Sequence, residues 1–270
     1  MKLDGKSVVI TGGASGIGAA IARAMHAAGS RVCIADLNLE AAEALAQSLS
    51  GVAVACDVSE EAAIQNAISV AEAAHGPVDI FVSNAGFGRG QPDHAASADN
   101  DTWNLNWQVH VMSHVYAARA LLPAMIERGE GYFVNVASAA GLLNQIGDAA
   151  YSATKHAAVS FAESLHITHR DQGIGVSVIC PQYVATPLIG LGDDDVDLAE
   201  NLLSAGDVAA CVIDGIQTET FRVLPHPQVA GFATARTADP ERWLQGMRML
   251  KAKADRELSG SSLLEFYKLV

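Results

Sequence analysis

Basic residues are scarce in this chain. Its 270 residues hold 17 lysines and arginines against 30 aspartates and glutamates, a formal net charge of −13, and neither end carries a run of Lys or Arg. A surface that tracks a phosphate backbone needs the opposite balance, so no nucleic-acid partner is expected and the acidic coat reads as an aid to solubility. Cysteine is equally sparse: Cys33, Cys56, Cys180 and Cys211 are scattered with no CxxC pair. That spacing speaks against a disulfide framework and for reduced, buried thiols, which makes the cytoplasm the expected location. No stretch reaches the roughly 20 apolar residues that span a bilayer. The first strand candidate begins at Ser7, so no cleaved leader is expected. Internal repeats, low-complexity tracts and Pro/Ser-rich linkers are also missing, so a single domain is expected.

What the chain has is hydrophobic content of 50%, arranged as short β-branched runs alternating with Ala-rich amphipathic stretches. Strand candidates are Ser7–Thr11, Arg31–Ala35, Val52–Ala55, Asp79–Ser83, Gly131–Ala137, Val176–Cys180 and Phe221–Leu224. Helix candidates fall near 16–29, 38–50, 59–75, 101–128, 148–172 and 207–218. Strands apolar on both faces alternating with helices imply a parallel sheet covered on both sides, because right-handed crossovers put the helices there. The expected fold is therefore α/β and doubly wound, a Rossmann-type sheet of seven mostly parallel strands. A catalytic domain is expected over 1–225 and a C-terminal extension over 226–270. In the extension, Pro225-His226-Pro227 is a break, Asp239-Pro240-Glu241 starts a helix through Trp243–Leu250, and Gly260–Val270 reads as a tail outside the packed fold.

Two elements carry chemistry. The first is Thr11-Gly12-Gly13-Ala14-Ser15-Gly16-Ile17-Gly18, directly after the first strand and opening the first helix. Glycines there let backbone N–H groups approach a pyrophosphate, and the helix dipole favours its negative charge. The second strand ends in Asp36, whose carboxylate can accept from the adenosine ribose hydroxyls and would repel a 2′-phosphate. Leu37 follows where an Arg would neutralise that phosphate, so NAD is expected over NADP. A plain helix N-cap is the competing reading of Asp36.

The second element is Ser138 with Tyr151 and Lys155. Tyr151 and Lys155 are four apart in a helical stretch, hence on one face and about one turn apart. A phenol with a pKa near ~10 is a poor base at neutral pH. A neighbouring ammonium would lower it and make Tyr151 an acid/base. Ser138, at the end of the fifth strand, would hold the substrate oxygen.

In order along the chain, the glycine turn, Cys56-Asp57-Val58, Asn84-Ala85-Gly86, Ser138 thirteen residues before Tyr151-x-x-x-Lys155, and Pro181-Gln182-Tyr183-Val184-Ala185-Thr186 resemble the short-chain dehydrogenase/reductase family from residue 3 to about 225. The resemblance implies that Gly12, Ser15, Gly16, Ile17, Gly18, Asp36 and Leu37 hold the adenosine and pyrophosphate side of NAD. Asp57 and Val58 would flank the adenine. Asn84, Ala85, Gly86 and Lys155 would serve the nicotinamide ribose, while Pro181, Val184 and Thr186 would meet the nicotinamide. Tyr151 is implied as acid/base and Ser138 as orienter, in a metal-independent hydride transfer between NAD(H) and a secondary alcohol or ketone.

Two positions depart from the family pattern. Gln182 replaces a usual Gly, and His110 falls where the family has the Asn that holds a relay water beside Lys155. Since an imidazole titrates near neutrality, His110 is expected to replace that Asn as a fourth catalytic member. His110 and His114 also have the i, i+4 spacing of metal ligands, yet no HExxH motif or third ligand accompanies them, so no metal is expected.

Segment 187–206 would be a substrate lid, with Asp193, Asp194, Asp195 and Asp197 read as a solvated loop. Phe87, Ala140, Leu142, Leu143, Tyr183, Leu188 and Ile189 would surround a neutral, largely apolar small-molecule substrate. The Ala-rich faces of the helices at 101–128 and 148–172 are open to a reading as simple core, but the family resemblance implies that they form a subunit interface, so a homo-oligomer is expected, as a homotetramer. Rival readings are a catalytically weak NAD(H)-binding sensor or a same-fold lyase.

Overall fold

A computed structural model of the chain describes residues 1–91, 93–258 and 263–269. The first half alternates β1 (Ser7–Thr11), α1 (Gly16–Ala27), β2 (Arg31–Asp36), α2 (Leu39–Ser48), β3 (Val52–Ala55), α3 (Glu61–His75) and β4 (Ile80–Ser83). Then come α4 (Asn100–Trp107), α5 (Ser113–Arg128), β5 (Gly131–Val136), α6 (Ala149–His169) and β6 (Ile174–Ile179). The chain continues through β7 (Val184–Ala185), β8 (Leu203–Ser204), α7 (Ala205–Thr218), β9 (Arg222–Val223), α8 (Gln228–Ala238) and α9 (Pro240–Glu257).

Seven strands form one sheet in the order β3-β2-β1-β4-β5-β6-β9, and every pairing in it is parallel. The order reverses between β1 and β4, so the carboxyl ends of these strands diverge and leave the crevice where open α/β sheets bind ligands. One face packs under α3, α5 and α6 through Phe81, Phe133, Met125 and Leu165. The other packs under α1, α2 and α7 through Ile10, Ile34, Tyr132 and Val212. The doubly wound expectation therefore holds, and its physical reason is visible: β1, β4, β5 and β6 are buried at every position, as strands covered on both faces must be.

Three expectations need correction. The helix expected across 101–128 is interrupted by a π turn at Gln108–Met112, and such one-residue expansions cluster at functional sites. Helix α8 had no counterpart among the expected elements. It starts directly after Pro227, and only Val229 of it is fully buried, so it lacks the apolar periodicity that reveals a helix. The closing segment is partly ordered: Leu263–Lys268 is a 3-10 helix, and Tyr267, 7% exposed, packs with Ala185 and Leu202. The remainder of the expected tail, 260–262 and 270, lies outside the described residues. The backbone over Asp193–Leu198, expected as a loop, is a 3-10 helix, in which Asp195 accepts the Gly192 N–H.

Candidate active site

The glycine turn is built by close approach. Gly12 and Gly16 have φ of +59° and +49°, the left-handed region that a side chain disfavours. A Cβ on Gly18 would stand 2.1 Å from the Gly12 carbonyl oxygen. Asn84 draws β4 onto this turn: its Nδ2 donates to the Thr11 and Gly12 carbonyls at 3.0 Å each, and its own N–H bonds Thr11 Oγ1. Ser15 precedes α1 in an extended conformation, and its hydroxyl caps nothing. The first N–H groups of a 12-residue helix therefore face the crevice unpaired by a cap, a ready anion site. Across from them, a Cβ on Gly16 would lie 3.2 Å from Thr186 Cγ2, so the loop after β6 closes over the turn.

Asp36 ends β2 beside the same turn. Its Oδ2 accepts from Ala14 N at 2.9 Å and its Oδ1 from Asn38 N at 2.9 Å, leaving one lone-pair direction on each oxygen. Leu37 is 74% exposed and adds no charge. Asn38, rather than Asp36, caps α2, so the competing N-cap reading of Asp36 does not describe this turn. Asp57 accepts from Ser59 N and Oγ through Oδ1, while Val58 is turned into the core. An open cradle, an uncapped helix start and a carboxylate at the β2 end fit the pyrophosphate and ribose of a dinucleotide.

Beyond the turn lies the polar cluster. Ser138 follows β5, and its Oγ accepts from Ala140 N at 3.1 Å, so its own O–H remains to donate. Asp148 caps α6, with Oδ1 accepting from Tyr151 N at 3.1 Å and Oδ2 from Gly90 N at 2.8 Å. This buried carboxylate sets the first turn that carries Tyr151. The signal was present in sequence as an Asp three residues before the tyrosine. One helical turn on, Lys155 is 3% exposed. Its Nζ donates to the Val136 carbonyl at 3.1 Å and stands 5.5 Å from the centroid of the Tyr151 ring. Gly86 opens onto the same spot, since a Cβ there would meet His110 Nε2 at 3.4 Å and Lys155 Nζ at 3.6 Å.

Electrostatics here differ from the expectation of a lowered phenol. Tyr151 is half-buried. Burial pushes its pKa up to about 12 against an opposing hydrogen bond from Ser138. Burial likewise brings Lys155 down to about 8. Desolvation disfavours the charged form of each, and the ammonium is turned toward Val136 rather than onto the phenol oxygen.

His110 sits in the π turn, fully buried, edge-on to Tyr151 with ring centroids 5.3 Å apart. Its Nε2 accepts the Phe87 N–H at 3.2 Å, and its Nδ1 lies 3.2 Å from Thr154 Oγ1. A backbone N–H only donates, so Nε2 is bare and the ring hydrogen is on Nδ1. Thr154 in turn bonds the Ala150 and Tyr151 carbonyls. Both nitrogens are thus taken, and the expected relay water has no imidazole atom left to bind. Burial, with Lys155 next, holds the pKa well below 6.5, so His110 does not titrate near neutrality. The same occupancy removes His110 as a metal ligand. Among the described residues no group of three or more His, Cys, Asp or Glu could hold a metal ion.

Of the apolar residues expected around a substrate, Leu142 and Leu143 pack with Ala139 just after Ser138, and Phe87 packs against His110 and lies 5.3 Å under the Arg89 guanidinium. A polar pair went unnoticed in the sequence: the Tyr183 hydroxyl and Gln145 amide bond each other at 2.9 and 3.1 Å.

A family model described as short chain dehydrogenase matches residues 6–195. D-threitol dehydrogenase of Mycolicibacterium smegmatis is 36% identical over 192 residues, 69% of this chain and 73% of that protein. The 1-deoxy-11-beta-hydroxypentalenate dehydrogenase of Streptomyces exfoliatus is 33% identical over 230 residues, 82% and 83% of the two chains. Among solved structures, a short chain dehydrogenase/reductase from Burkholderia phymatum in complex with NAD superposes with a TM-score of 0.80 at 30% identity, covering 89% of this chain and 96% of that one.

Proposed function

The chain belongs to the short-chain dehydrogenase/reductase family of oxidoreductases, and on that premise we propose that it is an NAD-dependent alcohol dehydrogenase/ketoreductase. It moves hydride reversibly between NAD(H) and a neutral, largely apolar secondary alcohol or its ketone. The observation that carries this reading is the convergence of Ser138, Tyr151 and Lys155 at the mouth of a crevice whose far end is the glycine turn with Asp36. Bound in that crevice, the nicotinamide would supply or accept the hydride.

The chain's own residues do the rest. Gly12, Gly16 and the start of α1 hold the pyrophosphate; Asp36 accepts from the adenosine ribose and excludes a 2′-phosphate. In ketone reduction the Ser138 O–H donates to the carbonyl oxygen and orients it. The Tyr151 hydroxyl, kept protonated by burial, delivers its proton to that oxygen as negative charge develops. The Lys155 ammonium stabilises the phenolate left behind. Oxidation runs the same path in reverse and requires Tyr151 to have lost its proton first.

The relative from Cupriavidus necator that acts on D-beta-hydroxybutyrate, 32% identical over 195 residues, and the threitol enzyme support a hydroxyl-bearing small molecule as the substrate class. We place the protein in the cytoplasm as a homotetramer. Among the described residues no helix is long and apolar enough to cross a membrane. A panel of alcohols and ketones, followed at the nicotinamide absorbance with both cofactors, tests the assignment. Turnover of none of them with either cofactor would overturn it in favour of a sensor.

A further inference from the structure

His226 is a buried histidine, 2% exposed, that no step above uses. It lies between Pro225 and Pro227, where the chain leaves β9 for α8. Its Nδ1 accepts the N–H of Gln182 at 3.1 Å, and its Nε2 reaches the carbonyls of Tyr183 at 3.1 Å and Asn201 at 3.2 Å. An N–H only donates and a carbonyl only accepts, so Nδ1 is bare and Nε2 carries the hydrogen. The ring is neutral in a single tautomer, and burial lowers its pKa in the same sense.

One rigid imidazole thereby joins three segments distant in sequence. The first is the loop after β6 that carries Pro181, Val184 and Thr186. The second is the far end of the 187–206 segment, at Asn201. The third is the entrance to α8. Gln228, next to Pro227, bridges the same parts through its Nε2, 3.3 Å from Asn201 Oδ1 and 3.4 Å from Gln182 Oε1. Helix α8 also bears on the opposite wall of the crevice. Val229 packs with Ala139 and Leu143, and Arg236 donates to the Leu142 carbonyl.

We propose that His226 is a positioning residue that couples the nicotinamide-side loop to the substrate lid, so that ordering one orders the other. This rests on the oxidoreductase reading, which makes 181–186 the cofactor side and 187–206 the lid. The physical basis is that one end of the ring holds the Gln182 N–H and the other shares its N–H between the Tyr183 carbonyl of the same loop and the Asn201 carbonyl of the lid, so a shift of either segment strains the bond that ties it to the other. The proline on each side fixes φ and restricts how far the ring itself can follow. Two sites biased by one shared element are coupled reciprocally.

Hydrogen exchange tests this in the full chain, with and without NADH, in the parent and in His226→Asn and His226→Gln. In the parent, NADH should slow exchange in both 181–186 and 187–206. Asn keeps an acceptor near Nδ1 and loses the Nε2–H that the Tyr183 carbonyl shares with the lid carbonyl of Asn201. In that variant NADH should still protect 181–186, while its protection of 187–206 falls about tenfold, the worth of one or two hydrogen bonds. Substrate KM should rise about tenfold, with NADH affinity by fluorescence kept within about twofold. Gln keeps a donor near Nε2 and should instead expose the Gln182 amide to faster exchange. Thermal unfolding shows that each variant is folded, and a variant that is not leaves the other to carry the comparison. An Asn variant in which NADH protects 187–206 as in the parent, at unchanged KM, overturns the coupling alone. A parent that neither binds NADH nor turns over any substrate overturns the oxidoreductase reading, and the proposal with it.

Discussion

His114, at the start of α5, is 2% exposed, and its environment should make the chain acid-sensitive in a calculable way. Its pKa is lowered from 6.5 to about 3, first by burial and then by the Lys155 ammonium, with the Asn135 amide opposing. In the fold the ring therefore stays neutral down to about pH 3, whereas in the unfolded chain it takes a proton below about 6.5. Between those values the unfolded state binds one more proton, so stability is lost as pH falls through the unfolded value, and the loss is complete below the folded one. At roughly 1.4 kcal/mol per unit, the cost is about 1 kcal/mol near pH 5.5 and about 3 kcal/mol near pH 4.5. His114→Leu removes the titration and carries its own packing cost, which does not depend on pH. Urea unfolding at about pH 7.5, 5.5 and 4.5 isolates the charge contribution as the change in the parent-to-variant difference. The variant should gain on the parent by about 1 and then about 3 kcal/mol. A difference constant across the three conditions would refute the reasoning, because it would mean that the imidazole is equally easy to protonate in both states.

The site makes further predictions. Asp36→Ala with Leu37→Arg should shift cofactor preference from NAD(H) toward NADP(H), read as the ratio of kcat/KM values; equal use of both by the parent sinks the assignment. Tyr151→Phe should lower turnover by about 100-fold or more while NADH still binds, since it removes the proton donor and spares the pyrophosphate cradle; near-parent activity would show that the proton comes from elsewhere. Because burial raises the Tyr151 pKa to about 12 and lowers that of Lys155 to about 8, alcohol oxidation should climb with pH up to about 8, where the ammonium begins to be lost, while ketone reduction stays level around neutrality; initial rates in both directions check this, and an oxidation profile flat below about pH 8 contradicts it. His110→Asn should leave the pH profile between about 6 and 7 unchanged, since the imidazole is already neutral there; loss of a limb in that range would put a titrating His110 back into the mechanism.

The fold could be read because the strands announce themselves twice, as short β-branched runs and as partners of helices at regular spacing. Boundaries moved by a residue or two: α7 begins at Ala205 rather than 207 because Ser204 and Asp207 form a reciprocal cap, a feature of side-chain geometry more than of hydrophobic period. The extension was harder. Helix α8 buries so little that no apolar stripe marks it, and its importance lies in single contacts made by Val229 and Arg236, and by His226 just before it, to residues 25 or more positions away in the chain. Such contacts leave no local trace. Gln145 is of the same kind, since Tyr183 reaches it only in the folded chain; Asp148 is half so, its cap on Tyr151 being local and its bond to Gly90 not.

The reversal at His110 shows where sequence spacing stops informing. Spacing places a side chain next to Tyr151 and Lys155, and there the imidazole stands. What it can do depends on its two nitrogens, and those are decided by backbone elsewhere: the Phe87 N–H takes one, and Thr154, itself tied to the Ala150 and Tyr151 carbonyls, takes the other. An Asn has one amide and could leave its own main-chain carbonyl to a water; a histidine filling the space between the β4 loop and α6 instead stitches them together. The π turn over Gln108–Met112 gives the ring the room to do so. The geometry ties the Phe87 N–H through His110 to Thr154 of α6 beside Tyr151, and in the function proposed above it supports a positioning role for His110, with proton exchange left to the phenol, the lysine and the water that reaches them.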